Sequence, residues 1–295
     1  MESFLAPMHE YTDLPFRLLC QKHGAGAACV PLISADAIAR DPEKVSLIDA
    51  HPHEAGVGVQ LVGRDPKSLG SAAAAVCERM PFVRWVNLNC GCPSARTRGC
   101  GGGSALMHRP EIIAQAVDEM KSSCGRPVSV KMRILERLPD TLALCRRIED
   151  AGADSIIIHA RTIAQGYSGK ADWAVVKAVK EAAGIAIVGN GDIRSMSEGR
   201  GLVERGFCDA FMVGRAAMGN PMLFSDKKPN GLAERFALLE EYAALQRKYC
   251  GNEDLKDIRL KALNLVSSVR GASVLRNRIC RAKSLEAILA LKDSS

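Results

Sequence analysis

Aromatic side chains are scarce in this chain: two Trp, four Tyr and seven Phe in 295 residues. Its core must therefore be closed by smaller aliphatic side chains and close backbone approach, which the 26 glycines and 47% hydrophobic content allow. Long apolar runs are missing, and none reaches the roughly 18–20 residues that span a bilayer. The opening Met1-Glu2-Ser3-Phe4-Leu5-Ala6-Pro7 has neither a basic segment nor a long apolar stretch. No secretory signal is expected, and the protein is expected to be cytoplasmic. Paired cysteine spacing is also missing, since the eleven cysteines are scattered. Cys20, Cys29, Cys77, Cys145, Cys208, Cys250 and Cys280 read as small apolar residues of a reducing compartment. Cys90, Cys92 and Cys100 do cluster, but their spacing fits no common zinc pattern and only His108 lies near. No metal site is expected.

Eight short apolar runs punctuate the chain, at residues 4–8, 28–34, 56–62, 83–89, 128–133, 155–159, 185–189 and 209–214. Most are continuous rather than alternating, the pattern of strands buried on both faces. Between them lie helix-like stretches at 66–79, 110–122, 139–151, 172–183 and 195–205, several opening on Pro or Asp and closing on Gly. Segment 35–55 has no regular period. Repeated βα units of this kind predict an α/β fold, a TIM (β/α)8 barrel. A doubly wound sheet is the alternative, but Ala6-Pro7-Met8-His9-Glu10 after the first strand lacks its phosphate-binding glycines. From about residue 230 the pattern turns all-helical, at 233–248, 255–270 and 275–291. The expected organisation is a catalytic barrel over 1–228, a linker around 225–230, and a small helical domain over 229–295.

The formal net charge is +7, and residues 255–292 carry nine Lys/Arg against Asp257 and Glu286, a surplus equal to that of the whole chain. A surplus confined to one terminal segment points to a polyanion-binding surface, nucleic acid first among them. A solvated helix face is the bland alternative.

Polar residues gather at the carboxyl ends of the strands, where barrels of this type do chemistry. The fourth strand runs into Asn89-Cys90-Gly91-Cys92-Pro93, followed by a flexible glycine loop. Gln60 ends the third strand, Lys131 and Arg133 the fifth, and His159 and Arg161 follow the sixth. Lys131 would face the barrel interior, which is costly without a negative partner. After strands seven and eight come Gly189-Asn190-Gly191-Asp192-Ile193 and Gly214-Arg215, the two positions that build a barrel's phosphate site. The phosphate could belong to a sugar phosphate or to FMN, and the strand-end cations favour FMN.

These segments together resemble the tRNA-dihydrouridine synthase family. The resemblance is carried by Leu5-Ala6-Pro7-Met8 with Thr12-Asp13-Leu14-Pro15-Phe16-Arg17, by Gln60-Leu61-Val62-Gly63, and by Asn89-Cys90-Gly91-Cys92-Pro93 with Gly102-Gly103-Ser104-Ala105-Leu106. It continues through Val130-Lys131-Met132-Arg133, His159-Ala160-Arg161-Thr162 with Gln165-Gly166-Tyr167, the two glycine turns and Gly219-Asn220-Pro221. The form Asn-Cys-Gly-Cys-Pro-Ser is most similar to the C-type branch. The resemblance implies an FMN-binding barrel reduced by NADPH or NADH that passes hydride to C6 of a tRNA uridine, with Cys92 protonating C5. It implies cofactor contacts from Ala6, Pro7, Met8, Gln60, Lys131, His159, Asn190, Gly191, Asp192, Gly214 and Arg215. Asn89, Arg133, Arg161 and Tyr167 would hold the uracil, and the basic helical domain would bind tRNA. The chain departs from the family pattern at His9-Glu10-Tyr11, Val30-Pro31 and Ala95, positions expected near the barrel mouth. Two rival readings are a flavoenzyme acting on free pyrimidines, resembling dihydroorotate dehydrogenase, and a tRNA-binding folding factor without catalysis. No obligate protein partner is evident in the sequence.

Overall fold

The computed structural model describes residues 3–293, so Met1, Glu2, Ser294 and Ser295, at the outer ends of the two expected domains, lie outside the described residues. Eight strands, β1 (Ser3–Leu5), β2 (Ala27–Ser34), β3 (Val57–Val62), β4 (Trp85–Cys90), β5 (Val128–Arg133), β6 (Ser155–His159), β7 (Ala186–Asn190) and β8 (Ala210–Val213), pair in parallel and in sequence order. β1 bonds to both β2 and β8, which closes the barrel. The eight strands fall where the apolar runs put them. The first is shorter than expected, because its pairing ends at Leu5 and Ala6-Pro7-Met8 continues as the loop of the barrel mouth.

The barrel is wrapped by α1 (Leu14–Lys22), α2 (Ala35–Arg40), α3 (Pro66–Arg79), α4 (Ala95–Gly99), α5 (Pro110–Cys124), α6 (Leu138–Asp150), α7 (Trp173–Ala182), α8 (Met196–Glu204) and α9 (Arg215–Gly219). Local chemistry starts several of them: Asp65 and Asp172 cap α3 and α7, and proline occupies the first turn of α3, α5 and α6. α1, which is not among the helix-like stretches expected from sequence, carries a signal of the same kind, with Asp13 capping a turn that holds Pro15. The irregular 35–55 segment resolves into α2 and a 3-10 turn at Pro42–Leu47.

Beyond a 3-10 turn at Pro221–Ser225 the chain is helical: α10 (Gly231–Cys250), α11 (Leu255–Leu265), α12 (Ala272–Arg281) and α13 (Leu285–Leu289). The two long helices expected over 255–270 and 275–291 are thus broken. α11 stops before Ser267-Ser268, and Gly271 takes a left-handed conformation ahead of α12. Ala282 is extended, and Ser284 restarts the chain by capping α13 through the amide of Ala287. α10 packs on α1 and α11 on α9, so the helical segment leans against the barrel wall next to β1 and β8.

A buried joint fixes that contact. Lys261 on α11 is 1% exposed and donates to the Tyr11 carbonyl and the Asp13 carboxylate, both at 2.7 Å. Its ammonium lies against the rings of Tyr11, Phe16 and Tyr242, and the Tyr242 hydroxyl donates to Asp13 at 2.8 Å. Lys261, counted in the basic surplus from sequence, is therefore withdrawn from the surface. The departure at Tyr11 likewise lies in this joint, with its ring buried and its hydroxyl donating to the Met218 carbonyl.

Candidate active site

The parallel register sets the strand-end residues in a ring. Asn89 is level with Lys131, Arg133 with His159, and His159 with Asn190. Beneath them a buried polar ladder crosses the barrel interior. The Asn87 amide donates to Ser129 at 2.7 Å, Gln60 donates to Asn87 at 2.8 Å, and Asn89 donates to Gln60 at 2.7 Å. Each amide is satisfied by the next, so the ladder is a rigid floor. Gln60, expected at the cofactor, is 1% exposed and serves this floor. Asn87 and Ser129 were not singled out from sequence; their only signal was polarity inside apolar strands.

Asn89 also fixes the turn that follows. Its side-chain oxygen accepts from the amides of Gly91 at 3.2 Å and Cys92 at 2.9 Å, while Arg133 donates to the Gly91 carbonyl at 3.1 Å. The Cys92 carbonyl accepts from the Ser104 amide at 3.0 Å, and its thiol lies 3.5 Å from the Thr97 hydroxyl. Gly103, at φ +60°, packs so tightly that an added Cβ would sit 2.8 Å from the Cys92 carbonyl oxygen. The Cys92 thiol thus stands half-exposed on a turn held from three sides. Cys90, two residues earlier, is fully buried and its thiol is pushed above its ordinary pKa by burial. Cys100 is exposed, so the three cysteines of the cluster face different environments.

Beside this turn a cavity of about 630 Å³ opens at the barrel mouth. Ala6, Pro7 and Met8 wall one side, Lys131, His159 and Tyr167 another, and Asn190, Gly191, Asp192, Gly214 and Arg215 a third. Lys131 donates to Asn190 at 3.2 Å, and burial first, then Arg133, lowers its pKa to about 8. Burial and the cations Lys131, Arg133, Arg161 and Arg215 push His159 down to about 2, so the imidazole is neutral at physiological pH. It is therefore unsuited to act as an acid there. Arg161 is 2% exposed and spans Asp192 at 2.6 Å and the Gly169 carbonyl at 2.9 Å, holding the Asp192 loop in place. Arg133, also buried, ties the β4 turn to the carbonyls of Thr162 and Gly166 at 3.0 and 2.8 Å. Tyr167 is 60% exposed, with Arg215 stacked 4.5 Å from its ring centre and Arg133 at 5.6 Å.

The cavity brings together Lys131, His159, Tyr167, the loop over residues 6–8 and the two glycine turns, while Cys92 stands on the adjoining β4 turn and is not part of its lining. Gln60, Asn89, Arg133 and Arg161 stand behind it as supports. The cavity's outer wall is built by Arg235, Asn264, Ser267 and Ser268 of the helical segment, which carry no local signal of that role. Among the described residues no group of three or more His, Cys, Asp or Glu side chains could hold a metal ion, and no helix is long and apolar enough to cross a membrane.

A closed eight-stranded parallel barrel, with a thiol and a cluster of cations at the carboxyl ends of its strands, defines an enzyme of the TIM-barrel class. The sequence family follows: a model described as dihydrouridine synthase matches residues 4–293, and the chain belongs to that family. A probable tRNA-dihydrouridine synthase of Aquifex aeolicus is 30% identical over 298 residues, covering 98% of this chain and 94% of the relative. The tRNA-dihydrouridine synthase B of Escherichia coli (strain K12) is 32% identical over 224 residues, 75% of this chain and 69% of its own. That of Pasteurella multocida is 34% identical over 224 residues, 75% of this chain and 67% of the relative. The last two relatives carry the B designation and the first carries no type letter, so the C-type likeness of the Asn89–Ser94 form gains nothing from them. Among solved structures, a 6-hydroxypseudooxynicotine amine oxidase of Pseudomonas geniculata superposes with a TM-score of 0.59 at 13% identity, covering 85% of this chain. A histamine dehydrogenase of Rhizobium does so at 0.58 and 13%, covering 83%. This chain spans only about half of each of those two, 53% and 49%, and the likeness is one of fold.

Proposed function

We propose that this protein reduces the C5–C6 double bond of a uridine in tRNA to dihydrouridine, with Cys92 as the acid. The observation that carries this reading is the placement of Cys92: a half-exposed thiol, on a turn fixed by Asn89, Arg133 and Ser104, beside a cation-lined cavity.

The cavity's donors fit FMN. Lys131 is a half-buried ammonium on the cavity wall whose one hydrogen-bond partner among the described residues is a neutral amide, so an anionic ring edge would restore its charge balance. The amides of Gly214, Arg215 and Ala216 open α9, where helical N–H groups lack intrahelical partners, and Arg215 stands among them as a phosphate cation. Asn190, Gly191 and Asp192 form the facing loop, with the loop over 6–8 covering one side. When bound, FMN would carry hydride from NADPH or NADH to C6 of the uracil.

The chain's own residues would supply the rest. The Cys92 thiol donates its proton to C5, a step that needs a fixed donor on one ring face. Tyr167, exposed at the mouth, offers a face for a uridine taken out of its stack, since target atoms inside folded RNA are otherwise out of reach. Asn89, Arg133 and Arg161 act by holding the turns that carry Cys92 and Asp192. Residues 1–228 would be the catalytic barrel and 229–295 the tRNA-binding part, with α12 presenting Arg276, Arg278 and Arg281 to solvent.

Incubating the flavin-loaded protein with NADPH and unmodified tRNA, and in parallel with free uracil, tests the reading. Dihydrouridine in tRNA alone supports it. Product from free uracil alone would favour a free-pyrimidine enzyme, and tRNA binding with no product a folding factor.

A further inference from the structure

A second cavity, of about 500 Å³, lies on the other side of the Cys92 turn, between the end of β3 and the glycine loop after α4. Its walls carry Arg64, Arg98, His108 and Arg109, and its lining includes Ser104 and Gly101. None of the three arginines makes an ion pair or side-chain hydrogen bond among the described residues, although much of this protein's surface charge is paired. Ser104 is 1% exposed, and its hydroxyl has no hydrogen-bond partner in the structure. A buried hydroxyl left unbonded is unfavourable, so its place in a cation-lined cavity favours an oxyanion acceptor. The loop is shaped for this arrangement: Gly101 adopts φ +79°, and an added Cβ would lie 2.8 Å from Cδ of Arg64. Glycine suits the left-handed backbone here, and a side chain in its place would push Arg64 aside from its path across the loop.

We infer that this cavity binds one phosphate of the tRNA backbone, held by Arg64, Arg98 and Arg109 with the Ser104 hydroxyl. The inference rests on the proposed tRNA reductase reading and adds to it a built anion site outside the cofactor cavity. The Ser104 amide is bonded to the Cys92 carbonyl, so a phosphate seated here is registered directly against the turn that carries the acid. The nearby amides of Gly101, Gly102 and Ser104 are spent on the loop's own bonds, which leaves recognition to the guanidinium groups and the hydroxyl. Such a contact positions the polynucleotide without reading its sequence.

The test measures tRNA affinity against salt for the full-length protein, for Arg64→Gln, Arg98→Gln and Arg109→Gln singly and together, and for Ser104→Ala. Neutralising one shared phosphate contact reduces the slope of log K against log[salt] by roughly 0.7–0.9, and because the arginines surround one cavity the triple variant should lose about that amount once. Ser104→Ala should weaken tRNA binding with thermal stability unchanged or raised. Arg98→Lys should recover part of the lost slope. A triple-variant loss two or three times larger would mean separate rim contacts and overturn the shared site, as would an unchanged slope. A changed preference for NADPH over NADH with unchanged tRNA affinity would assign the cavity to the reductant's 2′-phosphate and also overturn it. Direct binding remains readable even if no dihydrouridine forms, so failure of the catalytic reading and failure of this site are distinguishable.

Discussion

The ammonium of Lys261 reaches from the helical segment into the barrel wall and donates to the carboxylate of Asp13 at 2.7 Å, shielded by Tyr11, Phe16 and Tyr242. Asp13 is also the cap of α1, accepting from the Phe16 amide at 2.9 Å. One carboxylate therefore starts the first barrel helix and anchors the segment that builds the outer wall of the barrel-mouth cavity.

Removing one partner of a fully buried pair costs about 3–5 kcal/mol, an upper bound here because Asp13 is 21% exposed and keeps its bonds to Tyr242 and the Phe16 amide. Lys261→Met should lower unfolding stability by that order, measured in urea, and weaken retention of bound flavin through the displaced Asn264, Ser267 and Ser268. A loss below about 1 kcal/mol would show that solvent reaches the joint.

Lys131 sets a pH dependence. Its pKa of about 8 lies below the roughly 10.4 of an unfolded lysine, so between those values the unfolded chain binds more protons. The stability contributed by this group is therefore absent below about pH 8 and grows as pH rises towards 10. An anion in the cavity reverses the shift, so binding FMN to the flavin-free protein should take up protons in that window and weaken as pH rises. Calorimetry at about pH 9 in two buffers of different ionisation enthalpy reads the uptake. Lys131→Met should abolish it, and equal heats in both buffers for the parent protein would contradict the assignment.

Arg276, Arg278 and Arg281 are exposed on α12 and make no ion pair among the described residues, while Glu253 and Glu241 pair with Arg247 and Lys22. Replacing all three by alanine should weaken tRNA binding most at low salt and reduce the salt slope by roughly 0.7–0.9 for each lost phosphate contact. Thermal stability and flavin reduction by NADPH should not change. An unaltered slope would make this helix a solvated face.

The barrel was legible because its strands are buried on both faces and so read as continuous apolar runs, with turns punctuated by Pro, Asp and Gly. The site was legible in outline for a related reason: Asn89, Cys92, Lys131, His159 and Asn190 end consecutive strands, and parallel register brings such ends together. The sequence did not separate side chains that line the cavity from those that support it. Arg133 and Arg161 read as substrate contacts, yet both are consumed by backbone carbonyls and, for Arg161, by Asp192. Long-range bonds of this kind leave no local pattern. The break after α11 and the withdrawal of Lys261 depend on how the helices meet the barrel, which charge counting along the chain does not register.

In the proposed reaction Cys92 delivers a proton to the uracil while the rest of the site handles the cofactor. Its most direct test is Cys92→Ala, assayed on one preparation for bound FMN, for flavin reduction by NADPH and for dihydrouridine formed in tRNA. Flavin content and reduction should be unchanged, with dihydrouridine formation lower by roughly a hundredfold or more, the scale of losing a general acid. Cys90→Ala should cost little in product, since that thiol is sealed in the core. Near-normal dihydrouridine formation by Cys92→Ala would rule out this thiol as the acid.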